Sequence, residues 1–172
     1  MKLWAIPLIA ALALSACVKK VETRISSSGT QDAATGSYIW IAPEKTESRI
    51  LKLAQGLVAE RLKAKGLNSS QGGKYYLEVG VASRPASLAL SQSSGVLAAA
   101  DKSHSSGGCQ WNEYRISITL SRISDGQMHY RSSAGEFHCK QSFAQILPVL
   151  VDAALADYGN PRGAYAVKRK LR

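Results

Sequence analysis

The sequence predicts an α+β domain in which a mainly antiparallel sheet of four or five strands carries two helices on one face. Short stretches with alternating apolar and polar residues are typical of half-buried strands, and two longer stretches have apolar residues at helical spacing. A chain of 172 residues is long enough for one domain with a substantial core. A third observation, an apolar leader that ends in a cysteine, indicates that a targeting segment precedes this domain.

The leader is typical of a bacterial lipoprotein signal peptide. Lys2 provides a positive charge, residues 3–14 are largely apolar but too short to span a bilayer, and Leu14-Ser15-Ala16-Cys17 resembles a lipobox. We therefore expect residues 1–16 to be removed and Cys17 to carry the lipid. By resemblance to Gram-negative sorting, a valine instead of an aspartate after the cysteine favours the outer membrane, on its periplasmic side. The alternatives for Cys17 are a disulfide partner or a buried apolar residue.

The segment after the cysteine is polar and lacks apolar periodicity, because serine, threonine and glycine dominate it. Residues 17–37 are therefore predicted to form a lipidated, flexible tether, which leaves residues 38–172 as the folded domain. Residues 38–42 predict its first strand. Residues 44–65 predict an amphipathic helix that ends at Gly66 and packs on the sheet, with a membrane-surface helix as the alternative.

A β-hairpin is the clearest later element. Residues 74–83 predict a strand, and residues 114–120 alternate strictly between apolar and polar. Asp125-Gly126 predicts a two-residue turn, after which Met128 and Tyr130 would share one face. His129 and Arg131 are expected on the other face.

Two cysteines flank this hairpin. Pairing outward from the turn brings Cys109 and Cys139 to its open end, so they are predicted to form a disulfide in an oxidising compartment. Closing a loop of that size stabilises by about 3 to 4 kcal/mol on the chain-entropy estimate. With His104 and His138 they would instead form a zinc site, but no metal-ligand spacing supports it, and no cofactor is predicted.

The remaining segments are a long serine-rich loop, a second helix and a last strand. Residues 84–112 are predicted to lack regular structure except for a short helix or apolar flap. Residues 143–155 have helical apolar spacing, and Pro148 predicts a weak lead-in before it and a firm helix after it. Residues 164–172 predict an edge strand with a basic end.

Basic residues outnumber acidic ones, with a net charge of +10 that becomes +9 once Lys2 is removed. Export argues against nucleic acid, so the expected partners are anionic lipid, lipopolysaccharide or an envelope protein. The tail concentrates this charge, and it would either contact an anionic surface or protect an edge strand. Its basic residues are Arg162, Lys168, Arg169, Lys170 and Arg172.

Catalytic residues are scarce in the sequence. Glu113 and Glu136 are the one pair of carboxylates expected to meet, across the mouth of the hairpin, and an envelope hydrolase would need such a pair. A papain-like site would need a free thiol beside an oriented histidine. A non-catalytic binding or accessory module is therefore the favoured hypothesis, and an envelope hydrolase is the alternative.

The order of these features resembles a known family. The lipobox, the early strand "YIWIAP", the helix end "ERLKAKGL", the strand "YYLEVGVA", the hairpin "SDGQMHYRSSA" and the closing "LPVLVDAALADYGNPRG" are similar to the bacterial lipoproteins grouped as domain of unknown function 4136. The resemblance covers most of residues 38–163. It implies an envelope lipoprotein and no particular activity, catalytic residue or cofactor.

Overall fold

Nine strands and two longer helices make up the described part of the computed structural model, which covers residues 20–41, 48–92, 95–104 and 108–170. The strands are β1 (Lys20–Gly29), β2 (Gly36–Trp40), β3 (Leu67–Ser69), β4 (Tyr75–Pro85), β5 (Leu90–Gln92), β6 (Gly95–Ala98), β7 (Asn112–Arg122), β8 (Met128–His138) and β9 (Gly163–Lys170). The helices are α1 (Arg49–Ala64) and α2 (Phe143–Ala154).

Seven of the strands form one open sheet in the order β3-β2-β4-β7-β8-β1-β9, and β5 pairs with β6 separately. β2 runs parallel to β3 and β4, and the other neighbours are antiparallel. The α+β class, the two helices and the mostly antiparallel sheet are therefore confirmed. The predicted number of four or five strands is wrong, because the main sheet has seven.

β1 accounts for the largest error, because it was expected to lie in a flexible tether. It pairs with β8 on one side and with β9 on the other, so residues 20–37 belong to the folded domain. Val21, Thr23, Ile25 and Ser27 are buried and alternate with exposed residues. The predicted signal peptide and Cys17 lie outside the described residues.

The sheet has one face that the helices cover, here called the helix face, and an opposite open face. Because side chains alternate along a strand, Leu77, Ile118 and Ala134 point to the helix face and are buried there. α1 contacts β3 and β4, α2 contacts β1, β7 and β8, and the helices contact each other. Each fully buried aliphatic side chain in this layer stabilises the fold by about 1.5 to 3 kcal/mol.

α1 confirms the predicted helix over residues 49–64, and residues 44–47 of that prediction lie outside the described part. The Ser48 hydroxyl accepts a hydrogen bond from the Leu51 amide, and Gly66 ends the helix with a φ of 86°. Ala54, Val58 and Leu62 are buried against the sheet. The apolar face is therefore covered, which contradicts the alternative of a membrane-surface helix.

α2 begins earlier than predicted, before Pro148. Ser142 and Gln145 form a capping box, in which each side chain bonds the other residue's backbone. This box starts the helix at Phe143, and Pro148 lies inside it. Pro148 has no amide hydrogen to donate to the preceding turn, but its neighbours Leu147 and Leu150 are fully buried in the core. Packing therefore outweighs the missing hydrogen bond.

The hairpin of β7 and β8 is confirmed, but its turn is wider than two residues. The Arg122 amide donates to the Gln127 carbonyl at 2.8 Å, and Gly126 has a φ of 68° inside the resulting loop. Leu120 pairs with Tyr130 and Ser121 with Met128, so His129 is an extra, bulged residue. Tyr130 and His129 are both buried and Met128 is exposed, which contradicts the predicted division of faces.

Residues 86–111, here called the insert, connect β4 to β7 and contain β5, β6 and a short 3-10 turn, Lys102–His104. Regular structure in this predicted loop is a correction. Arg84 Nη2 donates to the Ala99 carbonyl at 3.1 Å, and Arg24 Nη2 donates to Asp101 at 3.2 Å. Arg84 and Arg24 project from the open face, so the insert lies against that face at one end of the sheet.

Candidate functional site

The predicted disulfide between Cys109 and Cys139 is present, with a Cα–Cα distance of 5.7 Å. It joins the last part of the insert to the segment that follows β8. The thiols are thus bonded to each other, which removes the free nucleophile of a papain-like site. They also cannot serve as the thiolate ligands of the predicted zinc alternative.

The two histidines of that zinc alternative lie in different surroundings. His104 stacks on Phe137 with ring centroids 4.6 Å apart and also contacts Trp111 at 4.7 Å. His138 is buried on the helix face, where Nε2 lies 2.6 Å from Glu136 Oε2. In the described ranges no group of three or more potential metal ligands occurs.

Glu113 and Glu136 lie on opposite faces of the sheet, so the predicted carboxylate pair is wrong. In the ladder Glu113 is opposite Phe137 and Glu136 is opposite Tyr114, and neighbouring positions alternate between the faces. Glu113 is on the open face, where it accepts from Arg84 at 2.6 Å and from Arg115 at 2.5 Å. The two carboxylates cannot act together on one substrate.

Glu136 is the centre of a buried charged cluster on the helix face. Its side chain is 0% exposed and accepts from Arg169 Nε at 2.9 Å, from Arg169 Nη2 at 2.6 Å and from the Thr23 hydroxyl. Burial opposes ionisation, but the hydrogen bonds from His138, Arg169 and Thr23 lower the pKa of Glu136 to about 2. Thr23, His138 and Arg169 therefore all bond the Glu136 carboxylate inside the cluster.

The basic tail is mostly part of the fold. Arg169 belongs to the Glu136 cluster, and Arg162 Nε donates to buried Asp157 at 2.7 Å. Burial raises the pKa of Asp157, and hydrogen bonds from Arg162, Ser27 and Tyr165 more than offset it, so that the net shift is downward. Lys168 and Lys170 are exposed on β9, which is an edge strand as predicted, and Arg172 lies outside the described residues. The tail is therefore not a free anionic-surface contact as a whole.

A cavity of about 400 Å³ lies on the open face where the insert meets β1 and β9. We call it the open-face cavity and define it by six of its lining residues. They are Lys20, Arg24, His104, Trp111, Phe137 and Lys168. Glu22 is the acidic residue among those that line the cavity, and Glu22 Oε1 lies 3.3 Å from Arg24 Nε. Asp101 also bonds Arg24, so three cationic side chains stand against two carboxylates, and the cavity keeps a positive balance.

The insert wall of this cavity is held by short-range hydrogen bonds. The Ser103 amide donates to Asp101 Oδ1 at 3.0 Å, and the Ser103 hydroxyl donates to the same oxygen. The hydrogen bond from the Ser103 hydroxyl lowers the pKa of Asp101, burial raises it, and the hydrogen bond from His104 lowers it further. The resulting pKa is about 2. The ionised carboxylate also accepts from Arg24 at 3.2 Å. These contacts fix His104 and its neighbours relative to β1.

Sequence reasoning missed this cavity because its six defining residues come from four separate segments, β1, the insert, β8 and β9. Lys20 and Arg24 lie in the predicted tether, His104 and Trp111 in the predicted loop, and Lys168 in the predicted contact with an anionic surface. Glu22, Arg24 and Ser26 alternate with buried residues in β1, but two of the four buried residues are polar, so the sequence carries only a weak signal for this strand. No sequence signal indicated that the insert would fold back onto it.

No family model matches the sequence, and no curated protein is detectably similar to it. Solved structures share its fold. A point variant of PelC from Paraburkholderia phytofirmans, a dodecamer, has a TM-score of 0.52 and 13% identity, covering 81% of this chain and 98% of that one. A PDZ domain protein from Parabacteroides distasonis has a TM-score of 0.59 and 10% identity, covering 88% of this chain and 39% of that one. At these identities the likeness shows the fold alone.

None of the helices in the described part of the chain is long and apolar enough to cross a bilayer.

Proposed function

We propose that the protein is a lipid-anchored, non-catalytic binding or accessory module on the periplasmic side of the outer membrane. The observation that supports it best is the lipobox-like Leu14-Ser15-Ala16-Cys17 directly before a folded domain that begins at Lys20. The resemblance to envelope lipoproteins is in keeping with this proposal. The disulfide is in keeping with an oxidising compartment.

The short distance between Cys17 and β1 sets the orientation of the proposed anchored domain. Three residues extend at most about 10 Å, so a lipid on Cys17 would hold the start of β1 next to the bilayer. Lys20 is paired with Lys170 at that end, and β8 ends there too. We call this the membrane-proximal end and define it by the exposed residues Lys20, Lys140, Lys168 and Lys170.

The charges at this end favour an anionic partner. Among the described residues, none of these four lysines forms an ion pair, whereas the nearby acids Glu22, Asp101 and Glu136 are each paired with an arginine. A lysine close to an anionic membrane surface contributes about 1 kcal/mol, and the effect decays within a Debye length. Anionic lipid or lipopolysaccharide is therefore the proposed partner surface, with an envelope protein as a further possibility.

The geometry gives less support to an envelope hydrolase. The acids that are buried, Glu113, Glu136 and Asp157, are each held by arginine, and the expected Glu113–Glu136 pair is divided between the two faces. A general acid or base needs a carboxylate that can reach a substrate proton. Binding is the better-supported function.

Lipidation is tested by expressing the full chain with an alkyne-labelled fatty acid and comparing it with Cys17→Ser. We expect label and membrane recovery for the wild type and loss of both for the variant. Cys17→Ser should still form the Cys109–Cys139 disulfide, which serves as the folding control. Equal membrane recovery of the two proteins, without label, would contradict the lipid anchor.

A further inference from the structure

The open-face cavity has two kinds of wall. Lys20 and Lys168 lie on adjacent strands of its cationic side and are exposed. On its aromatic side His104 stacks on Phe137 and Trp111 contacts the His104 ring edge-on, and the Arg24 guanidinium lies 5.0 Å from the Phe137 ring centroid. A cavity with ammonium groups on one side and rings on the other fits a small group that is anionic at one end and apolar at the other.

The cavity is formed before any ligand binds, because its insert wall is anchored at several points. The disulfide fixes Cys109, two residues before Trp111, to the segment after β8. The Asp101 amide donates to the Ala86 carbonyl at 2.8 Å, and the Ala86 amide donates to the Trp111 carbonyl at 2.9 Å, so backbone bonds hold the insert at the end of β4. A preformed site loses little conformational freedom on binding, so modest contacts give useful affinity.

The position of the cavity identifies its occupant. Lys20 is both a lining residue and the third residue after Cys17, so the cavity lies at the membrane-proximal end. This step rests on the proposed lipid anchor. An anchored protein holds the cavity next to a layer of phosphate headgroups at very high local concentration. The anionic group that meets Lys20 and Lys168 first is then a lipid phosphate.

We propose that the open-face cavity binds the headgroup of an anionic phospholipid in the membrane. Lys20 and Lys168 bind the phosphate, and Trp111 lies along the glycerol and the first acyl carbons. Lysine ammonium groups act as point charges on phosphate oxygens, and tryptophan is favoured at the interface between headgroups and hydrocarbon. The site would orient the anchored domain as well as hold it.

The first test uses the mature chain with Cys17→Ser, which retains every element of the described fold and has no lipid. It is mixed with vesicles of phosphatidylcholine alone or with phosphatidylglycerol added, and bound protein is measured by flotation. The double variant Lys20→Gln with Lys168→Gln is compared with the charge-matched control Lys52→Gln with Lys63→Gln on the exposed side of α1. Both double variants lose the same charge.

We expect the cavity variant to bind phosphatidylglycerol vesicles at least tenfold more weakly, and the control at most twofold more weakly. Vesicles of phosphatidylcholine alone should bind neither the Cys17→Ser chain nor either of its double variants. Equal weakening by the two double variants would mean that the charge acts diffusely, and it would overturn the proposal.

The second test follows Trp111 directly. The mature chain has two tryptophans, Trp40 and Trp111, so Trp40→Phe leaves the cavity tryptophan as the single reporter. We expect its emission to shift to shorter wavelength when phosphatidylglycerol vesicles are added. Vesicle binding without a change in Trp111 emission would place the contact elsewhere and overturn the proposal, whatever the lysine variants do.

Glycerol phosphate and inorganic phosphate distinguish the lipid from a soluble phosphate source. We expect neither to displace the vesicles at millimolar concentration, because they lack the acyl carbons. Displacement by either would assign the cavity to a soluble phosphate and overturn the lipid proposal. These measurements use unlipidated protein, so a failure of the cavity proposal is separable from a failure of fatty-acid labelling in the anchor experiment.

Discussion

The two faces of the sheet hold charge in different ways. On the helix face, Glu136 is 0% exposed and is bonded by Thr23, His138 and Arg169. On the open face, the Glu22–Arg24 pair spans 3.3 Å and the side chains are 42% and 48% exposed. The first arrangement excludes water, and the second is surrounded by it.

This difference decides what the charges can do. A buried ion pair gains little over apolar packing, but removing one partner leaves an uncompensated charge in the interior. An exposed ion pair contributes little to stability, and breaking it costs little, because water and salt screen its charges. Buried charges, such as Glu136 on the helix face and Glu113 on the open face, therefore stabilise the fold, and the exposed charges of the open face are available to a ligand.

Removing the carboxylate at the centre of the helix face should have the largest effect. We expect Glu136→Ala to lower the free energy of unfolding by about 3 to 5 kcal/mol, because Arg169 then remains without its carboxylate partner. Glu22→Ala is the matched control on the open face and should cost less than about 1 kcal/mol. Urea denaturation of both variants measures the difference, and equal losses would contradict the contrast between the faces.

The next effect is on the pH dependence of stability. The folded-state pKa of Glu136 is about 2, below its ordinary value of 4.5, so the ionised group stabilises the fold above pH 4.5. This stabilisation is lost as the pH falls through the folded pKa. A shift of this size corresponds to about 3 kcal/mol.

We therefore expect the difference in unfolding free energy between the wild type and Glu136→Gln to shrink by about 3 kcal/mol between pH 5 and pH 2. Denaturant titrations of both proteins at several pH values give this difference. Asp101 also has a pKa of about 2, but it is present in both proteins, and its contribution cancels. A difference that stays constant with pH would mean that Glu136 is not held ionised by its partners.

The smallest effect is expected for Arg24→Gln on the open face. Arg24 is half exposed and contacts Glu22, Asp101 and the Phe137 ring. Losing these screened contacts should cost less than about 1 kcal/mol, and adding salt should reduce the cost further. Thermal unfolding at low and high salt measures both effects. A loss of several kcal/mol would show that Arg24 is as structural as Arg169.

β1 is hard to recognise as a strand from the sequence. A half-buried strand is recognised in a sequence by apolar residues at every second position. In β1 two of the four buried positions, Thr23 and Ser27, are polar. Thr23 bonds Glu136, and Ser27 donates to Asp157 at 2.7 Å. The buried side of β1 is polar because its partners are charged, so its apolar pattern is too weak to separate it from a tether.

The strands β4 and β7 and the helix α1 could be predicted because their buried residues are nearly all apolar, whereas β8, with buried His129, Ser132, Glu136 and His138, was predicted from the Asp125-Gly126 turn before it. Pro148 predicted only a weak helix before it, but the capping box of Ser142 and Gln145 starts α2 at Phe143. The cavity could not be predicted, because Lys20, Trp111 and Lys168 come together only when β1 joins β9 and the insert folds back. Contacts between distant segments leave no local pattern.

The place of β1 between β8 and β9 also has a consequence for how the chain reaches its native state. Arg24 pairs with Gly135 and Val21 pairs with Arg169, so the first strand of the sheet binds to two of the last. During vectorial synthesis, β1 has no partner until β8 has emerged, and it lacks its second partner until β9 follows near the end of the chain. Such high contact order slows folding and keeps the sheet open until the C-terminal strand arrives. Such late folding is in keeping with the export proposed above, because β1 stays without its partners while the chain is being threaded out.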